Sequence, residues 1–124
     1  MGCEIHAVVG YAIVGGWAVL LLGGIALILA KRLPVTWFWR LLAVLQGLLL
    51  VQLVAGIALL VTGHRQGILH YAYGIVFPVV VLVAAHVLGR GMEDERDSLK
   101  VFTAASFFVF GLTLRALTTG LGLP

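Results

Sequence analysis

Residues 7–30 read AVVGYAIVGGWAVLLLGGIALILA, an uncharged apolar run that decides the fold class. A helix needs about 20 such residues to cross the hydrocarbon core of a bilayer, and this run exceeds that length. Three further segments meet the same criterion: residues 41–62, 69–89 and 101–119. In the second, only Gln46 and Gln52 interrupt the apolar pattern, and each is expected to hydrogen-bond across the bundle. The connections, residues 31–40, 63–67 and 90–100, are short, which favours antiparallel neighbours. Backbone groups in lipid must be satisfied within the chain, which excludes irregular spanning structure. The expected fold is all-α: one integral membrane domain over residues 1–124, a four-transmembrane-helix bundle running up-down-up-down.

Composition agrees with that reading. The 124 residues are 62% hydrophobic and 10% charged, against roughly 45–50% and about 25% in soluble domains. The net charge of +3 is divided among short clusters and forms no nucleic-acid-binding face. A single cysteine, Cys3, leaves no internal disulfide and no Cys-x-x-Cys motif. No basic stretch precedes the first apolar run, so that run is expected to stay in the mature protein.

Basic residues orient the spans, with acids counting little. Lys31, Arg32, Arg40, Arg90, Arg96 and Lys100 fall in the first and third connections, whereas Arg65 and Arg115 stand at the other end. Both termini are therefore expected on the non-cytoplasmic side, in the cell (inner) membrane of a prokaryote. Trp37 and Trp39, beside Arg40, read as an interfacial belt. Glu93-Asp94-Glu95-Arg96-Asp97 reads as a solvated loop, with Asp97 or Ser98 as the cap of span four. Gly15-Gly16 and Gly23-Gly24 offer small faces for close approach by a helix or a flat ligand. Pro78, four residues after Gly74, deprives the Gly74 carbonyl of its helical donor and is expected to kink span three.

Polar side chains inside a membrane segment are functional candidates. His6 opens span one and His70 opens span three at matching depth, with His64 and Arg65 in the connection between spans two and three. Arg115, Tyr11, Tyr71 and Tyr73 lie at a similar level. Two histidines from different helices at one depth, His6 and His70, suit the two axial positions of a haem iron, with His64 as a substitute for either. His70, Tyr73, Gly74 and Phe77 share one helical stripe, which supplies a ligand, an aromatic wall and a glycine gap. Arg65 and Arg115 are placed to pair with haem propionates. His86 lies 16 residues after His70, about 24 Å along the helix and at nearly the opposite azimuth. No other span has a histidine at that depth, so His86 is expected to be interfacial or to contact a partner.

The four spans with His6, His70, Arg65 and Arg115 resemble the four-helix membrane b-type cytochromes, which hold haem on histidine pairs between transmembrane helices. The resemblance implies one haem b near the outer face, exchanging electrons with a quinol, a periplasmic carrier or a neighbouring subunit. The chain departs from the two-haem pattern at the unpartnered His86.

Two other readings stay open. One is a non-catalytic accessory subunit, packed by its glycine-rich first span against other membrane subunits or as a homo-oligomer. The other is a zinc or copper site built from Cys3, His6, His64 and His70. The sequence holds no Ser-His-Asp set, no paired intramembrane carboxylates and no phosphate-binding loop, so no catalytic residue is assigned. An electron carrier or subunit is favoured over a stand-alone enzyme.

Overall fold

A computed structural model describes residues 2–32, 36–63 and 67–121, apart from the side chain of Cys3. Helix α1 spans Gly2–Leu29, α2 Thr36–Val61, α3 Ile68–Tyr71, α4 Phe77–Arg90 and α5 Glu95–Gly120; a π-helical segment, Ala72–Val76, joins α3 to α4. The chain is all-α among the described residues, with four helical spans long and apolar enough to cross a membrane, the third being the continuous Ile68–Arg90.

The helices overrun the expected boundaries where polar residues cap or extend them. The start of α5 is the main case. Asp94, and not Asp97 or Ser98, is the N-cap, its carboxylate accepting from the Arg96 N–H at 2.9 Å. Glu95, Arg96 and Asp97 thus form the first helical turn rather than a loop, with the two acids favourably placed at the positive end of the helix dipole. At the other end of α2, Gly63 adopts φ +95°, the left-handed conformation that glycine tolerates at a helix terminus.

The expected kink in span three takes the form of a π turn. Pro78 has no N–H to offer the Gly74 carbonyl, and immediately before it the ladder widens so that the Phe77 N–H bonds to the Ala72 carbonyl, five residues back. A π turn adds one residue to the helix and shifts everything beyond it by about 100°.

Helices α1 and α5 form the centre, and the glycines of α1 shape its side of it. Helix α1 packs along both α2 and α5, while span three packs along α5. Its glycines permit this: Gly16 lies under Leu45, Gly23 under the Trp37 ring and Gly24 under Thr103, each too close for a Cβ. Gly15, by contrast, faces open space. Sequence neighbours α2 and span three, despite their short connection, keep their backbones apart and pack mainly on other helices.

The core sits in the half of the bundle nearer the Arg/Lys-rich ends. Trp17, Leu20, Phe38, Leu99 and Val109 are its most deeply buried members. Trp39 belongs to this half as a packing residue: its ring meets Phe102 edge-on at 5.6 Å and its indole N–H donates to Glu95 Oε1 at 3.1 Å. Trp37 remains about half exposed.

Candidate functional site

The other half of the bundle is looser and holds a half-open cavity of about 190 Å³. All four spans contribute to its wall: His6 and Gly10 from α1, Gln52 and Gly56 from α2, His70, Tyr71 and Gly74 from span three, and Thr113, Ala116 and Gly120 from α5. The two histidines face each other. Their ring centroids lie 6.2 Å apart at an interplanar angle of 71°.

Backbone and glycine contacts hold these rings. His70 Nδ1 lies 2.8 Å from the Ala116 carbonyl oxygen, which can only accept, so Nδ1 carries the proton and Nε2 the lone pair. That is the arrangement in which a backbone carbonyl fixes a metal-binding histidine. Gly120 packs against the same ring; a Cβ there would stand 2.9 Å from His70 Cε1. On the opposite wall, Gln52 Nε2 donates to the His6 backbone carbonyl at 2.6 Å, tying the first turns of α1 to α2. Gly56 lies against the His6 ring, and His6 Nδ1 is buried with no hydrogen-bond partner. A buried polar atom left unsatisfied costs about 1–3 kcal/mol. Trp17 Nε1 and Thr103 Oγ1 are buried in the same way, but of the three an imidazole nitrogen alone suits a metal ligand.

The other expected site residues are placed as follows. Gly74 lines the cavity, and a Cβ there would make ordinary 3.5 Å contact with Ala116. Tyr73 and Arg115 pair with each other away from the cavity wall, the guanidinium 5.8 Å from the ring centroid. Arg115 Nη1 also donates to Thr118 Oγ1 at 3.5 Å. Tyr11 is 55% exposed on the outer surface of α1. His64 and Arg65 lie outside the described residues. For a zinc or copper site, the described residues bring together no group of three His, Cys, Asp or Glu side chains; Cys3 and His64 fall outside that statement.

His86 sits elsewhere, and its partners are internal. Its Nε2 lies 2.7 Å from Gln46 Oε1, and its ring meets Phe102 at 5.1 Å. Regular helix would have put His86 roughly 160° from His70; the π turn brings that to about 60°, on the side of span three that faces α2.

Gln52, Gly56, Gly120 and the Ala116 carbonyl are site features that sequence reasoning missed. Gln52 carried a signal, as a polar residue in an apolar span. The glycines carried none, because their role depends on which ring lies opposite.

The two imidazoles are the donor type a haem iron takes. Imidazoles on opposite sides of one metal ion at about 2 Å would have centroids roughly 6 Å apart; the two rings here stand edge-on at 6.2 Å. The cavity is below the roughly 300 Å³ at which small-molecule pockets begin, so a macrocycle requires the wall to open. The α2–span three side is the one with little helix packing to lose. No protein-family model, curated protein or solved structure matches the chain.

Proposed function

We propose that this chain is a haem-b-binding membrane protein, a one-electron carrier or haem-bearing subunit, with His6 and His70 as the iron ligands. The observation that carries the reading is the pair of imidazoles from α1 and span three, 6.2 Å apart across a cavity, one locked to a carbonyl by its Nδ1 and the other with a buried, unsatisfied Nδ1. When bound, haem b supplies one-electron exchange at its iron. The chain's own part is to present the His70 Nε2 lone pair, hold His6 through Gln52 and keep bulk away at Gly56 and Gly120.

The Arg/Lys-rich end is assigned to the cytoplasm by the positive-inside rule. The histidine cavity then faces the non-cytoplasmic side of a prokaryotic cell membrane, within reach of a quinol or a periplasmic carrier. Arg115 acts in this reading from beside the cavity.

A visible spectrum of the protein, purified in mild detergent from cells supplied with a haem precursor, tests this. A Soret band and a sharp α-band on reduction are expected, lost in His6→Ala and in His70→Ala and retained in His86→Ala. Full haem content in both of the first two variants would overturn the ligand assignment. A featureless wild-type spectrum would overturn the cofactor, returning the chain to an accessory subunit or, with stoichiometric zinc or copper, to a metal site.

A further inference from the structure

Because α2 and span three do not pack closely, a groove of about 350 Å³ runs between α2 and α4 in the half of the bundle opposite the histidine cavity. Its floor and sides are apolar, from Leu53 and Val79 at one end through Leu82 and Val83. The other end is polar. Gln46 and His86 meet there, and Arg90, one turn beyond His86 on the same face of α4, completes the lining. Among the described residues Arg90 forms no ion pair with a carboxylate.

Length and charge together select an occupant. From Val79 to Arg90 the helix rises about 16 Å at 1.5 Å per residue, close to half of a hydrocarbon core about 30 Å thick. The groove therefore covers one leaflet, from the midplane to the headgroup level. A guanidinium at its mouth suits a phosphate, and the positive charge of Arg90, without a carboxylate partner among the described residues, favours a headgroup of net negative charge over a zwitterionic one. Gln46 and His86 are joined there by one hydrogen bond. We propose that this groove seats one acyl chain of an anionic phospholipid from the leaflet at the Arg/Lys-rich end, with Arg90 on its phosphate. This goes beyond the haem reading and does not depend on it.

The test is native mass spectrometry of protein released from nanodiscs of equal parts phosphatidylglycerol and phosphatidylcholine. The wild type is expected to retain one phosphatidylglycerol, preferred roughly five-fold over phosphatidylcholine, the scale of one basic residue at an anionic surface. Arg90→Gln should reduce that preference to below about two-fold, while Arg40→Gln, at the same end but outside the groove, should keep it. Val83→Trp fills the groove and should abolish retention; Val19→Trp, equally lipid-facing on α1, should not. Val79→Trp serves if Val83→Trp fails to yield helical protein. Equal retention in the groove-filling and control variants, no retained lipid in the wild type, or a retained neutral isoprenoid such as a quinone would each overturn the proposal.

Discussion

The two halves of this bundle use the same helices differently. Towards the Arg/Lys-rich ends, aromatic and aliphatic side chains fill the space around α1 and α5, beside the open groove between α2 and α4: Trp17 and Phe38 are fully buried, and Phe102 is ringed by Trp39 and His86. Towards the chain termini, glycines and short side chains surround two imidazoles and a cavity. In lipid there is little hydrophobic gain from helix association, so stability comes from van der Waals contact and interhelical hydrogen bonds. The tight half can therefore hold the bundle together even though Trp17 Nε1 and Thr103 Oγ1 are buried there without hydrogen-bond partners, while the loose half surrounds two imidazoles and a cavity.

Variants in the two halves should therefore separate in what they affect. Trp17→Ala, in the tight half, should give the largest loss of stability, about 3 kcal/mol, at the low end of large-to-small core substitutions. Unfolding in mixed micelles of increasing sodium dodecyl sulfate, followed by circular dichroism, measures it, and a loss below about 1 kcal/mol would break the comparison. Asp94→Ala removes the α5 cap and should cost about 1 kcal/mol in the same assay, with no change in the haem spectrum.

Gly120→Ala belongs to the loose half. Its methyl group presses on the His70 ring, so haem content or the reduced α-band position should change while stability falls by about 1 kcal/mol or less, toward the low end of overpacking costs. Gln52→Leu sharpens the contrast further. Interhelical hydrogen bonds in membranes average about 0.6 kcal/mol, so stability should scarcely move, but the release of His6 should weaken haem retention. Gln46→Leu removes a bond of the same kind from the His86 side and should cost about as little, with haem retention unchanged. Equal haem retention in Gln52→Leu and Gln46→Leu would show that the tie to His6 has no bearing on the site.

The four spans were legible in the sequence because crossing a bilayer is a local requirement: enough consecutive apolar residues and no charge, as in residues 7–30. The convergence of His6 and His70 followed from depth alone, since two helices that both start near one surface bring their first turns to one level. Azimuth was another matter. Whether a side chain faces a cavity, lipid or a neighbour depends on helix phase and on the partner opposite, and neither is written in a single span. Tyr11 and Arg115 had suitable depth, yet one turns to the outer surface and the other to Tyr73. The direction of His86 was unreadable because a π turn ahead of Pro78 rotates all of α4. Only tertiary packing decided that α1, with glycines where Leu45, Trp37 and Thr103 press in, would pair with α5 at the centre, and that α2 and span three would stand apart. The physical reason is that apolar length sums along one chain segment, whereas the shape of a void is set by several segments meeting at once.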